Sequence, residues 1–284
     1  MRADPFDLTG KVAIVTGSTK GMGLAIAEAF AAHGARVVVT SRNAAECAEV
    51  AERLNAEHGR GQRIAASKAG ELDSKADQQG LVDAALAAFG SVTTLVCSPS
   101  IRPWFGSAID TPDEEIDRQF LYVFKTRFWI TSLCIPHMAK AGGGSVVYIG
   151  SGSAFEATAE RSVYACMRAA EVTLMRNFAA EFGQNNIRFN IISPGLIDAH
   201  GSKALFADRA AVAEITAGVP MRRHGVTSEI ANAAAFLASE ASSFTTGAVL
   251  PVDGGRLTHA VKSRLTNAFA GEQAAQAAAA AKPS

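Results

Sequence analysis

The sequence predicts an α/β fold, a doubly wound parallel sheet, as a single domain over residues 1–255. Three observations lead there. Short β-branched runs recur along the chain, each followed by an Ala-rich stretch of helical composition. The runs are apolar almost throughout, as strands covered on both faces are. No Pro- or Ser-rich linker and no fixed-period repeat divides residues 1–255. Strands alternating with helices in this way build βαβ units and a parallel sheet.

The elements follow in chain order. Residues 12–15 form the first strand and lead into a helix near 22–33; residues 36–39 form the second and lead into a helix near 43–58. Leu95 with Val96, residues 146–149 and residues 189–192 continue the series, and a last strand sits near 248–250. The longest apolar stretch, residues 120–135, carries Lys125 and Arg127. It is too short and too charged to span a bilayer, and it reads as a helix buried on most of its faces. Residues 256–284 form a C-terminal extension whose last thirteen residues are Ala-rich and of low complexity. Alanine favours helix, but the tail has no large apolar face to bury, so it is expected to be flexible.

Composition narrows the function. Of 284 residues 48% are hydrophobic and 19% charged, which excludes wholesale disorder. Lys+Arg and Asp+Glu are both 27, so no basic excess marks a nucleic-acid or anionic-membrane partner. The partner expected is a small-molecule substrate. Cys47, Cys97, Cys134 and Cys166 are scattered, with no C-x-x-C or His pair at metal-ligand spacing, so neither a metal site nor a disulfide framework is expected. With no apolar run behind the N-terminal charge, a reducing, cytoplasmic setting is the expectation. His33, His58 and His137 are expected at helix ends on the surface.

A glycine-rich turn follows the first strand and opens the first helix: Gly17, Ser18, Thr19, Lys20, Gly21, Met22, Gly23. That context is what a dinucleotide fingerprint requires. Glycines permit the tight turn and close backbone approach to a pyrophosphate, and helix-start amides face its charge. Ser41 and Arg42 end the second strand, where no Asp or Glu stands to accept from a ribose 2′-hydroxyl. Arg42 and Lys20 are placed to neutralise a 2′-phosphate, so NADP(H) is favoured over NAD(H).

These motifs, with Ser151, Tyr164 thirteen residues later, Ser193-Pro194-Gly195 and Val252-Asp253-Gly254-Gly255, make the chain similar to the short-chain dehydrogenase/reductase family over roughly residues 8–255. The resemblance implies a single-domain Rossmann-like fold and a homotetramer, with a dimer as the alternative. It assigns Tyr164 as acid/base and Ser151 as the group that polarises the substrate oxygen. It assigns Pro194, Gly195, Ile197 and Glu71 to the cofactor. The apolar helix 120–135 would pack against its symmetry mate. The family's Lys, which binds the nicotinamide ribose and lowers the Tyr pKa, corresponds to Arg168, and its Asn, which holds a relay water, to Val123. Tyr164 and Arg168 lie i,i+4 on one helix and share a face. Guanidinium can lower a phenol pKa by its charge but cannot cycle a proton.

Further departures touch the cofactor region. Cys97, Ser98, Pro99 and Ser100 stand where the family has Asn-Asn-Ala-Gly, Thr93 where it has Asp, and Ala199 where it has Thr. A Ser-Tyr-Arg triad also resembles the halohydrin dehalogenases, in which the Tyr deprotonates a hydroxyl to close an epoxide without nicotinamide. Those enzymes crowd the position of Gly21 with an aromatic side chain; Gly21 leaves it open. The leading reading is an NADP(H)-dependent oxidoreductase interconverting a carbonyl and an alcohol through Ser151, Tyr164 and Arg168. A non-redox acid–base enzyme (dehalogenase-like or a lyase) and a catalytically degenerate nucleotide-binding homologue are the alternatives. Trp104, Phe155 and Phe206 are candidates to line a substrate pocket, and Arg102 or His200 to fix a polar substrate group. Cys166 points away from the Tyr164 face of its helix.

Overall fold

The structure, a computed structural model, describes residues 4–98, 101–157 and 159–258. Its strands are β1 (Val12–Thr16), β2 (Arg36–Thr40), β3 (Ala65–Ser67), β4 (Thr94–Cys97), β5 (Gly144–Ile149), β6 (Ile187–Pro194), β7 (Ile197–Asp198), β8 (Gly225–Val226) and β9 (Val249–Val252). Its α-helices are α1 (Gly21–Ala32), α2 (Ala44–His58), α3 (Lys75–Phe89), α4 (Asp113–Gln119), α5 (Thr126–Lys140), α6 (Ser162–Phe182), α7 (Lys203–Ala207), α8 (Arg209–Ala217) and α9 (Thr227–Ala238). Seven strands form one sheet in the order β3-β2-β1-β4-β5-β6-β9, every pair parallel. β7 and β8 pair separately beyond its C-terminal edge.

The predicted doubly wound sheet is present, and strand periodicity shows how it is covered. Along β2, Val37 and Val39 face one layer and Val38 the other. On the first side Ile26 and Phe30 of α1, Leu54 of α2 and Ile230 and Leu237 of α9 complete the core. On the second, Leu81 of α3, Ile130 and Met138 of α5 and Met175 and Phe178 of α6 do so. Phe178 stacks on Phe189 of β6 with ring centres 5.6 Å apart. Asn43 caps α2 by accepting from the amides of Ala45 and Glu46, and Ser74 caps α3.

Several elements differ from the sequence reading, the two-residue β7 and β8 among them. β3 was not expected: Ala65, Ala66 and Ser67 have little strand propensity and pair only because β2 presents its edge. The stretch 120–135 is not one regular helix. α4 passes through a π turn over Phe120–Lys125 before α5 begins. The stretch is buried on most faces, as expected: Val123, Thr126, Ile130, Thr131, Cys134 and Ile135 are buried, and one stripe carrying Phe120 and Phe128, 44% and 43% exposed, faces outward. Pro251 lies in β9, which tolerates it because β9 is an edge strand.

The strand order reverses between β1 and β4, and the crevice at that switch point is where open parallel sheets bind ligands. The Gly17 turn, Ser98 and Ser151 follow the carboxyl ends of β1, β4 and β5, and Pro194 is the last residue of β6, so all four lie at the same end of the sheet.

Candidate active site

The turn after β1 is shaped by its glycines. Gly17 and Gly21 adopt φ +66° and +61°, the left-handed region that favours glycine. A Cβ on Gly23 would lie 2.2 Å from the Gly17 carbonyl oxygen, so no other residue fits. Lys20, the N-cap of α1, offers no side-chain cap, which leaves helix-start amides open to an anion. Ser18 is buried, and it ties the turn to β2: its amide donates to the Thr40 carbonyl at 2.9 Å and its Oγ accepts from the Thr40 amide at 3.0 Å. Met22 packs against the α1–α9 side of the core. Lys20 spends its charge on Glu46, Nζ to Oε1 2.7 Å. That bond, helped by Thr19, holds the Glu46 carboxyl below its usual range against the opposing effect of burial.

A cavity of about 380 Å³ opens beside this turn, lined by Gly17, Ser41, Arg42, Glu71, Ile101 and Tyr122 among others. Four residues expected to hold a dinucleotide, Gly17, Ser41, Arg42 and Glu71, therefore share one cleft; Arg42, just past β2, stands on its wall with Arg118, which is paired with Glu115. A glycine cradle, open helix amides and the Arg42 cation fit a dinucleotide phosphate chain. The Thr93 hydroxyl accepts from the Val12 amide at 2.8 Å and so tethers β4 to β1 where an Asp was expected. Ser98 is buried, its amide donating to Thr16 Oγ1 at 3.2 Å; Pro99 and Ser100 lie outside the described residues. The loop after β7 crosses the turn. A Cβ on Gly21 would meet the His200 amide at 3.5 Å and Ala199 Cβ at 3.8 Å, ordinary contact distances.

Ser151 lies two residues past β5 and caps the short turn Gly152–Ala154, its Oγ accepting from the Ser153 amide at 3.2 Å. Tyr164 sits in the first turn of α6, half-buried, with the Arg168 guanidinium carbon 5.0 Å from its ring centre. Arg168 is 1% exposed. Burial alone would lower its pKa, but the Glu171 carboxylate and a hydrogen bond with Tyr164 push it further up, so this guanidinium keeps its proton. Cys166 is exposed, off the face that carries Tyr164 and Arg168. Cys97 is buried, and burial pushes its thiol up to about 12, so it is inert as a nucleophile.

Beneath Tyr164 lies an arrangement that sequence reasoning missed. Glu171, fully buried, accepts from Arg168 Nη1 at 2.8 Å and pairs with Arg127 Nε at 2.6 Å. Arg127 donates through Nη1 to the Val123 carbonyl at 3.0 Å and through Nη2 to the Ile149 carbonyl at 3.1 Å. Arg168 reaches the same Ile149 carbonyl at 3.3 Å. The signals were a charge inside an apolar stretch and a glutamate seven residues after Tyr164, two helical turns along the same face.

A second cavity, of about 500 Å³, is lined by Ser151, Glu156, Arg161, Pro194, Gly195 and residues of the α7–α8 segment. Its apolar wall comes from Leu205, Ile215, Val219 and Leu257. The expected aromatics are placed elsewhere: Trp104 folds over Gly106, Phe206 meets His224 edge-on at 4.9 Å, and Phe155 is exposed. Arg102 is exposed and Ile197 buried in β7. Glu156 pairs with Arg256 at 2.7 Å.

A parallel sheet with a glycine-rich turn beside its switch point, and Ser151 and Tyr164 at the same edge, defines a dinucleotide-binding α/β enzyme class. A family model described as enoyl-(acyl carrier protein) reductase matches residues 17–256. A dehydrogenase/reductase SDR family member 4 of Caenorhabditis elegans is 38% identical over 249 residues, 87% of this chain and 95% of that protein. A gluconate 5-dehydrogenase from Burkholderia cenocepacia in complex with NADP and tartrate superposes with a TM-score of 0.84 at 29% identity, covering 91% of this chain and 99% of that one. A 7α-hydroxysteroid dehydrogenase complexed with NADH and 7-oxo glycochenodeoxycholic acid gives a TM-score of 0.80 at 33% identity, covering 90% and 97%. The chain belongs to the short-chain dehydrogenase/reductase family, and its relatives support a carbonyl/alcohol oxidoreductase. No helix among the described residues is long and apolar enough to cross a membrane.

Proposed function

We propose that the protein is an NADP(H)-dependent oxidoreductase that interconverts a carbonyl and an alcohol, with Tyr164 as acid/base. The observation that carries this is the buried Arg168 guanidinium, hydrogen-bonded to Tyr164 and 5.0 Å from its ring centre. A fixed positive charge beside a phenol favours phenolate, the form that accepts a proton from an alcohol. Ser151 polarises the substrate oxygen from the turn that opens on the larger cavity. Gly17, Ser18, Thr19, Lys20, Gly21, Met22 and Gly23 form the dinucleotide turn, with Ser41, Arg42 and Glu71 on the adenosine side and Pro194, Gly195, Ile197 and Arg168 on the nicotinamide side. Bound there, the nicotinamide supplies the hydride donor or acceptor.

Arg42 supports NADP(H) over NAD(H), because it lines the adenosine cleft while Lys20 is paired with Glu46. Exposed Phe120 and Phe128 on one helical segment support a homo-oligomer. Non-redox acid–base chemistry at the same three residues is the second reading. It is favoured by a guanidinium that holds Tyr164 charged but cannot pass on a proton.

NADPH oxidation across a carbonyl panel tests both. Wild type is expected to turn over with NADPH, and Arg168→Ala to lose at least ~100-fold in kcat/KM. Undiminished NADPH turnover in Arg168→Ala overturns the assignment of Arg168. Turnover of halohydrins without nucleotide replaces this reading by the second.

A further inference from the structure

We propose that Glu171 is a positioning residue of this site. With Arg127 it clamps Arg168 beneath Tyr164 and sets the net charge that the phenol meets. The proposal rests on the Tyr164–Arg168 reading above and adds two residues that do not touch the cleft.

The geometry is that of a closed unit. The two Glu171 oxygens are divided between two arginines, Oε2 to Arg168 at 2.8 Å and Oε1 to Arg127 at 2.6 Å. The guanidiniums are anchored in turn by the Val123 and Ile149 carbonyls. Arg127, Arg168 and Glu171 are each at most 2% exposed. Two cations and one anion leave a single positive charge, held in low dielectric where it is little screened. One end of the unit, Arg168, touches Tyr164.

Among the described residues, Cys97 and Tyr148 also couple to Glu171 and Arg127, and burial keeps both protonated at neutral pH. On the segments packed against α6, Arg118 pairs with Glu115, Tyr122 donates to Asp73, and Lys125 stands over Trp129. Arg188 of β6 is tied to Leu237 and Ser239. Near the start of α6, Arg161 stands over Phe105 and Glu156 pairs with Arg256. Tyr164 therefore ionises against a charge fixed by three buried side chains.

The test is a tyrosinate absorbance titration of the whole protein, which needs neither substrate nor nucleotide. The chain has three tyrosines. The Asp73 hydrogen bond raises the pKa of Tyr122, and burial raises that of Tyr148 well above ten. The signal lost in Tyr164→Phe belongs to Tyr164. Glu171→Gln leaves two uncompensated cations and should move the Tyr164 midpoint down by about one pH unit. Arg127→Met removes a cation and should move it up. Glu171→Asp keeps the charge and should hold the midpoint near that of wild type. A merely structural role would move the Gln and Met variants in the same direction or not at all, and either result overturns the proposal. If Glu171→Gln fails to fold, the upward shift in Arg127→Met and the stationary Glu171→Asp remain decisive. Opposite shifts without any NADPH turnover would support the clamp while sinking the oxidoreductase reading. An unmoved midpoint alongside Arg168-dependent NADPH turnover would do the reverse.

Discussion

Replacing Glu171 with Leu exposes the energetics of the buried charges. The substitution strands the Arg127 and Arg168 guanidiniums, which in the native protein share one carboxylate at 2.6 and 2.8 Å. Breaking a buried pair costs about 3–5 kcal/mol, because the remaining charge has lost both water and partner. With two cations stranded and facing each other, the upper end applies, about 5 kcal/mol. A domain of this size loses roughly 2–4 °C of Tm per kcal/mol, so Tm should fall by about 10–20 °C. Arg127→Met leaves Glu171 with Arg168 as a neutral pair and should cost less, about 3 kcal/mol. Removing all three charges together, Arg127→Met with Arg168→Met and Glu171→Leu, should recover most of the loss, since an apolar replacement of a buried ion cluster is often neutral or stabilising. The assay is thermal unfolding followed by far-ultraviolet circular dichroism, at one protein concentration because assembly shifts Tm. The order should persist at high salt, which screens surface pairs but not buried ones. A triple variant less stable than Glu171→Leu would refute the reasoning, as would a Glu171→Leu Tm equal to wild type.

Two further outcomes follow from other parts of the molecule. Arg42→Asp should weaken NADPH binding about tenfold or more while leaving NADH unchanged or improved, measured by fluorescence titration; Lys20→Met should change the ratio little, because Lys20 is already paired with Glu46. Glu229 is held at about 2, first by its hydrogen bond from Arg223 and next by the Val226 amide at the start of α9. Its folded pKa lies below the unfolded value, so its stabilisation is present above that value and is lost as pH falls through about 2. The Tm deficit of Glu229→Gln should therefore be full near neutral pH and narrow as pH drops below about 4.5; a deficit that does not change with pH would contradict this.

The Gly17–Gly23 turn was legible because a short motif, placed after a strand, carries its own backbone requirements. Gly23 shows this directly, since the Gly17 carbonyl leaves no room for a Cβ. Tyr164 and Arg168 were legible for a similar reason: four residues apart on a helix are neighbours whatever the fold. The lining of the larger cavity was less legible. Its apolar wall comes from Leu205, Ile215 and Val219 rather than from the aromatic residues, which differ in nothing local that says which way they turn.

The sequence by itself determined the doubly wound sheet, through alternating apolar strands and helices, and the glycine-rich turn after β1, through glycines at set spacing. Only the tertiary structure decided where charge sits beneath Tyr164. Arg127, Glu171 and the carbonyls of Val123 and Ile149 belong to three segments that meet only when α5 and α6 close over β5. A lone charge in a sequence reads as solvated. Low dielectric makes it a determinant of the site only once its partners arrive from elsewhere in the chain.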